Sequence, residues 1–249
     1  MRTILITGAT AGIGEACAEV FAQHGDRLIL TGRRQERLEA LASRLTVDCL
    51  PLAFDVRDQK VVADVLSNLP AEWQQIDVLV NNAGLAVNTT PLHEGIIDDW
   101  ERMIDTNVKG LLYVTRAISP AMVARKKGHI INIASIAGKQ VYPGGNVYCA
   151  SKHAVDALSQ AMRIDMLQHG IKVSNVAPGL VETEFSVVRY KGDQDAADKV
   201  YRGMAPLSGK DIADVVFYVA GTPPHVTIND ILVMPTAQAS AFAVHREES

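Results

Sequence analysis

The chain has 249 residues, 48% of them hydrophobic, and 24 Lys and Arg against 28 Asp and Glu for a net charge of −4. That length can bury one substantial core, and with no linker-like stretch a single domain over 1–249 is expected. The mild acidity offers no basic stripe for nucleic acid, and no segment approaches the roughly 20 apolar residues of a membrane span, so neither partner is expected.

Arg2 is followed at once by the apolar run Ile4-Leu5-Ile6, so no leader is expected ahead of the fold. Thr3 to Thr7 reads as a first strand, and a helix is predicted from about Gly12 to Gln23. Further strands are predicted at Arg27 to Thr31, Leu50 to Phe54, Ile76 to Val80, His129 to Ala134, Lys172 to Ala177 and Ile231 to Met234. Helical periodicity runs from Glu36 to Leu45, Trp100 to Val123 and Val147 to Gln168. The strand candidates are nearly unbroken Val, Ile and Leu, which marks strands buried on both faces. Strands alternating with helices imply a parallel sheet with right-handed crossovers, an α/β doubly wound, Rossmann-type fold of seven strands with helices on both faces. The one long connection, Leu180 to Gly209, has the character of a mobile lid.

Gly8, Gly12 and Gly14 fall between the first strand and the first helix, where glycines permit a tight turn and helix-start amides face an anion. The spacing, Gly8-x3-Gly12-x-Gly14, departs from the more familiar G-x-G-x-x-G, and a ligand-free turn is the competing reading. After the second strand, an acid would bind a ribose 2′-hydroxyl; Arg33 and Arg34 stand there instead and suit a 2′-phosphate, so NADP(H) is expected. The alternative is a solvated first helical turn, although cations are mildly unfavourable there. Tyr148 and Lys152 lie one helical turn apart on one face. Asn107 interrupts the apolar stripe between Met103 and Leu111, and a buried amide needs partners. The seven histidines have no H-x3-H spacing and the cysteines at 17, 49 and 149 form no metal-like pair, so no metal is expected. An unpaired thiol count favours a reducing, cytoplasmic setting. Cys149 lies about 100° around the helix from Tyr148 and reads as an inert structural thiol.

Thr7-Gly8-x3-Gly12-x-Gly14, Asp55-Val56, Asn81-Asn82-Ala83-Gly84, Ser135, Tyr148-x3-Lys152 and Pro178-Gly179-x3-Thr183 follow successive strands in that order. Together they resemble the single-domain branch of the short-chain dehydrogenase/reductases over nearly the whole chain. The resemblance implies an enzyme that transfers hydride between a nicotinamide cofactor and an alcohol or carbonyl, with Asn107, Ser135, Tyr148 and Lys152 as its catalytic set. Tyr148 would be the general acid or base. A phenol near pKa 10 needs its anion stabilised, and Lys152 with an oxidised nicotinamide would do so, allowing proton loss near neutrality. Ser135 would bond the same substrate oxygen as charge develops on it. An ordered water would link Asn107 to Lys152; the competing reading is a buried Asn satisfied by backbone at a helix irregularity. For the cofactor, the resemblance implies contacts from Gly8, Thr10, Gly12, Ile13, Gly14, Arg33, Arg34, Asp55, Val56, Asn82, Ala83, Gly84, Tyr148, Lys152, Pro178, Gly179, Val181 and Thr183. Asp55 as an ordinary loop acid competes with its place beside the adenine.

The segment from Glu184 to Asp193, Gly144-Gly145-Asn146 and Met234-Pro235-Thr236 look like those of NADP-dependent 3-hydroxy acid dehydrogenases, which act on serine, allo-threonine and 3-hydroxypropionate or its semialdehyde. A small substrate with a carboxylate is then expected, held by Arg189 or Lys191, with Ser135 and Tyr148 at its reacting oxygen. Both cations as surface charges, a broad carbonyl reductase, or a noncatalytic NADP(H) sensor are the alternatives. Leu111, Leu112, Val114, Val155, Leu158 and Met162 suggest helices that also pack on another subunit, and the family habit is a homotetramer. The tail, Ala237 to Ser249, extends past the last strand and could reach a neighbouring subunit.

Overall fold

The computed structural model describes residues 1–247; residues 248 and 249, the end of the tail, lie outside the described residues. In chain order the strands and helices are β1 (Thr3–Thr7), α1 (Gly12–Gln23), β2 (Arg27–Gly32), α2 (Gln35–Arg44), β3 (Cys49–Ala53), α3 (Gln59–Ser67), β4 (Val78–Asn81), α4 (Ile97–Ile104), α5 (Leu111–Arg125), β5 (His129–Ile133), α6 (Asn146–Asp165), β6 (Lys172–Pro178), β7 (Val181–Glu182), α7 (Glu184–Arg189), α8 (Gln194–Lys199), β8 (Leu207–Ser208), α9 (Gly209–Ala220) and β9 (Asp230–Val233).

Seven strands form one parallel sheet in the order β3-β2-β1-β4-β5-β6-β9, the architecture expected from the alternation of elements. Side chains alternate between its faces. Ile4, Ile6, Leu28, Leu30, Val78 and Val80 point toward α1, α2 and α9, where Cys17, Phe21, Ile212 and Val216 close one core. Leu5, Ile29, Leu79 and Ile130 face α3, α5 and α6 and pack on Val62, Val114, Met122 and Val155. Strand order reverses between β1 and β4, so the crossovers diverge and leave a crevice at the strands' carboxyl ends.

A buried polar chain runs beneath that crevice. Asn81 Nδ2 donates to Thr115 Oγ1 and to Asn132 Oδ1, both at 2.9 Å; Asn132 Nδ2 donates to Ser159 Oγ at 2.8 Å, and Ser159 Oγ to the Val155 carbonyl at 2.7 Å. It ties β4 and β5 to both α5 and α6.

The single helix expected over Trp100 to Val123 is instead α4 and α5 joined by a π-helical turn at Asp105–Gly110. Gly110 permits this close packing, since a β-carbon there would lie 2.7 Å from Val56 Cγ2. The expected lid over 180–209 contains structure of its own: α7, α8 and a two-stranded parallel β7-β8 pair. From Ala237 to Glu247 the tail folds back on its own chain. Gln238 Oε1 accepts from Leu180 N at 2.8 Å, Arg246 Nη2 donates to the Val200 carbonyl at 2.9 Å, and Glu247 N donates to the Gly203 carbonyl at 2.8 Å. Of the helix residues read as facing another subunit, Leu111, Val114, Val155 and Met162 are buried within this chain, while Leu112 is exposed.

Candidate active site

The crevice is a cleft of about 420 Å³. Its floor is the turn after β1. Gly8 and Gly12 adopt positive φ, +68° and +58°, which only glycine takes without strain. Gly14 does not line the cleft; a β-carbon there would strike the Gly8 carbonyl and the Asn82 amide, so it lets α1 approach the loop. Asn82 Nδ2 donates to the carbonyls of Thr7 (2.9 Å) and Gly8 (3.1 Å), and Thr7 Oγ1 accepts from the backbone of Asn82 and Ala83 at 3.0 Å. The loop is thus clamped to the end of β4. At the N-cap of α1 stands Ala11, which offers no side-chain acceptor to the first-turn amides. Gly12 and Ile13 present that helix start to the cleft, where an anion would complete it.

At the end of β2 the expected arginines separate. Arg34 Nη2 donates to Thr10 Oγ1 at 2.9 Å and its Nη1 pairs with Glu184 at 3.2 Å, while Arg37 pairs with the same carboxylate at 2.8 Å. Arg33 lines the cleft and, among the described residues, makes no ion pair. Asp55 is gripped by Arg57, with Nη2 to Oδ2 at 2.7 Å; partial burial works to raise its pKa, but the Arg57 hydrogen bonds outweigh it and hold the carboxyl below its ordinary value. Asp55 therefore anchors its own turn while it and Val56 line the cleft.

The other wall carries the proposed chemistry. Ser135, Tyr148 and Lys152 are all buried and open on the same cleft. Gly138 brings the Ser135 loop against α6, since a β-carbon there would lie 2.6 Å from the Lys152 carbonyl. Lys152 Nζ donates to the Ile133 carbonyl at 2.8 Å and lies 6.0 Å from the Tyr148 ring centroid. Burial lowers the Lys152 pKa to about 8. Burial raises that of Tyr148, with Tyr142 adding to the rise and the Ser135 hydroxyl and Arg189 opposing it. Desolvation is the largest influence on Tyr148 and works against the phenolate, so Lys152 together with an oxidised nicotinamide would have to outweigh it.

Asn107 sits in the π-helical turn. Its Oδ1 accepts from Leu85 N and its Nδ2 donates to the Leu85 carbonyl, both at 2.8 Å, with a further bond to Ser151 Oγ at 3.0 Å. It does not line the cleft but lies behind Gly84, where a β-carbon would be 3.3 Å from Asn107 Oδ1 and 3.5 Å from Lys152 Nζ. A side chain at 84 would come between the two groups.

Pro178, Gly179, Val181 and Thr183 line the cleft, and Thr183 also caps α7, accepting from Phe185 N at 3.3 Å. The lid's two cations differ. Lys191 is paired with Asp99 at 2.8 Å and does not line the cleft. Arg189 does, reaching Tyr142 OH at 3.2 Å with its guanidinium 5.5 Å from the Tyr142 ring and 5.9 Å from the Tyr148 ring. Its Nε is buried with no hydrogen-bond partner. Tyr142, Tyr201 and Gln238 also line the cleft without having been singled out in the sequence. The only signal for Tyr142 is an aromatic beside the Gly144-Gly145 turn; Tyr201 and Gln238 carry none. Cys149 is buried and its thiol is pushed up by desolvation, as its reading as inert requires. Among the described residues no group of acidic, His and Cys side chains could hold a metal.

Comparison with known proteins agrees with this geometry. Residues 2–194 match the family model for short chain dehydrogenase. The NADP-dependent 3-hydroxy acid dehydrogenase YdfG of Salmonella typhi is 49% identical over 245 residues, covering 98% of this chain and 99% of that one. Sulfoacetaldehyde reductase 2 of Chromohalobacter salexigens is 48% identical over 248 residues, 98% of each chain. Among solved structures, the closed form of serine dehydrogenase complexed with NADP+ superimposes with a TM-score of 0.95 at 47% identity, covering 99% of this chain and 100% of that one.

Proposed function

The chain belongs to the short chain dehydrogenase family, and from that premise we propose that it is an NADP(H)-dependent oxidoreductase interconverting a small 3-hydroxy acid and its 3-oxo or semialdehyde counterpart. The observation that carries the substrate class is Arg189: a guanidinium on the cleft wall, 5.9 Å from the Tyr148 ring, with a buried Nε that lacks a partner. A carboxylate accepting from that guanidinium would place the substrate's hydroxyl-bearing carbon near Tyr148. The named activities of the relatives agree, and sulfoacetaldehyde shares the same plan, an anionic group one carbon removed from the carbonyl. A sulfonate substrate is therefore the second reading, whereas a bulky uncharged ketone would leave Arg189 uncompensated.

The residues present fit NADP(H). The uncapped start of α1 and the positive-φ glycines suit the pyrophosphate, Arg33 with Arg34 and Thr10 suits the 2′-phosphate, and Lys152, which lines the cleft, would hold the nicotinamide ribose. When bound, the nicotinamide supplies or accepts the hydride. In reduction Tyr148, protonated in its buried setting, gives its proton to the substrate oxygen, which Ser135 also holds. In oxidation Tyr148, as the phenolate that Lys152 would favour beside a bound oxidised nicotinamide, would take the proton of the substrate hydroxyl. Asn107 holds the π-helical turn in place behind Lys152, and a water between them would carry the proton onward. Assembly as a homotetramer is supported by exposed Leu112 on α5 and Ile164 on α6, and a cytoplasmic setting by three free cysteines.

The test is NADP+ reduction, followed at the nicotinamide absorbance, with 3-hydroxy acids, isethionate, plain secondary alcohols and sugars. Highest kcat/KM with the 3-hydroxy acids is expected. A preference for uncharged alcohols, or for NADH over NADPH in the reverse direction, would overturn the assignment.

A further inference from the structure

The lid helix α7 ends in a way its sequence does not favour. Lys191 N donates to the Val188 carbonyl at 3.2 Å and Gly192 N to the Val187 carbonyl at 2.9 Å, the paired bonds of a helix terminus that turns through a left-handed residue. Glycine usually occupies that left-handed position. Here Lys191 holds it at φ +55°, and the glycine comes one residue later at +96°. A lysine kept in a conformation it disfavours points to a use for its side chain.

That side chain reaches α4. Lys191 Nζ lies 2.8 Å from Asp99 Oδ2, whose side chain is only 3% exposed and sits in the helix's first turn. Arg102 approaches the other oxygen at 3.8 Å. Nearby, the Arg189 carbonyl accepts from Asn88 N at 2.9 Å, and Asn88 is itself left-handed at φ +65°. A backbone bond to the segment between β4 and α4 and an ion pair to α4 itself therefore fasten the end of α7, both within two residues of Arg189. The guanidinium of Arg189 has no acidic partner among the described residues. Its placement depends on Tyr142, whose hydroxyl accepts from it at 3.2 Å, and on the backbone behind it.

We propose that Lys191 and Asp99 form the latch that seats Arg189 against the anionic end of the substrate, which makes both positioning residues for substrate recognition. The proposal rests on the reading of Arg189 as the anion clamp. The opposite end of α7 is fixed by the Thr183 cap and by Ser186 Oγ bonded to Tyr201 OH at 2.6 Å, while the Glu184 pairs with Arg34 and Arg37 are between half-exposed side chains and so contribute little. The Lys191 end, where one partner is removed from water, governs how much of the protein has Arg189 in place.

The experiment is Lys191→Gly in the full chain, assayed at saturating NADP+ with a 3-hydroxy acid and with an uncharged secondary alcohol. Glycine keeps the turn that ends α7 and deletes the ion pair. If one chain in ten then keeps Arg189 seated, KM for the hydroxy acid rises about tenfold. The uncharged alcohol is unaffected, kcat stays within about twofold, and the thermal midpoint falls, because the charge left buried at Asp99 outweighs the strain relieved at position 191. Lys191→Arg restores the hydroxy-acid KM. Asp99→Asn added to Lys191→Gly has no further effect on KM. Equal changes on both substrates, no change on either, or a second independent rise from Asp99→Asn would overturn the latch. Arg189→Met run in parallel separates the two claims. If it fails to discriminate between the substrates, the clamp reading falls; if it discriminates and Lys191→Gly does not, the latch alone falls.

Discussion

The two ends of the cleft are built by different means. At the cofactor end, strand termini and glycine conformations shape the wall: the Gly8 turn, held by the Asn82 amide on its carbonyls, and the uncapped start of α1. At the substrate end, the wall is α7 and the tail, held through side chains such as Lys191 on Asp99 and Gln238 on the Leu180 backbone. Backbone geometry tolerates little substitution yet survives changes of charge. Side-chain pairs do the reverse, which suits the part of an enzyme that must open and that distinguishes one substrate from another.

The contrast can be broken most severely where the ends meet. Tyr148→Phe removes the proposed proton donor from the wall that also carries Ser135 and Lys152, and kcat is expected to fall by about a thousandfold, within the range for a lost general acid. Circular dichroism should show an intact fold, and turnover close to that of the unsubstituted chain would detach Tyr148 from the chemistry. Next in size is Gly14→Ala, which touches no ligand. Its methyl meets the Gly8 carbonyl and the Asn82 amide, so denaturant melts should show destabilisation of about 1–3 kcal/mol with weakened NADPH binding. An unchanged midpoint would mean that the loop yields more easily than its hydrogen bonds imply.

Smaller still is Arg33→Ala, the cation at this end left unpaired. It should lower kcat/KM for NADPH by about tenfold and leave NADH nearly untouched, consistent with one charge-assisted bond. Equal losses with both nucleotides would shift the phosphate contact to Arg34. The mildest effect concerns pH. The folded pKa of Lys152, about 8, lies below its ordinary 10.5, so the unfolded chain binds more protons between those values. Stability therefore rises with pH across that window, and the penalty is fully present below pH 8. Lys152→Met lacks this dependence. Its thermal-stability advantage over the unsubstituted chain should shrink by about 1 kcal/mol between pH 7 and 9. A constant gap would place the ammonium in a wetter setting than its burial indicates.

Legibility in the sequence followed the same division. The bounds expected for β1 and α1 are those observed, and every predicted strand lies within two residues of its place at each end, because buried parallel strands leave continuous apolar runs. Glycine and arginine positions at strand ends carried the cofactor site for the same reason: the fold delivers those residues by local order. The break at Asp105–Gly110 was hidden, since the apolar period continues through it and only Asn107 departs from the stripe. Tyr142 and the Lys191–Asp99 pair were illegible because they join segments far apart in the chain, with no pattern in either alone. Lys191 was weighed as a substrate ligand, and the buried Asp99 that claims it gave no sign of its burial. The tail could have been read as an arm toward a neighbouring subunit; Gln238, Arg246 and Glu247 bind it to its own lid.

One last feature bears on how the molecule assembles itself. The asparagine chain from Asn81 through Asn132 to Ser159 crosses from the sheet into α6, the helix that carries Tyr148 and Lys152 two to three turns before Ser159. Aliphatic contacts alone would let that helix slip along the sheet by a turn at modest penalty, since one Leu or Val fits much like another. A slipped helix would strand the amides of Asn81 and Asn132 in a dry interior, at about 1–3 kcal/mol for each group left unbonded. Misregistered chains are thereby disfavoured before any substrate arrives, and the phenol and ammonium come to rest at the one height where Ser135 can meet them.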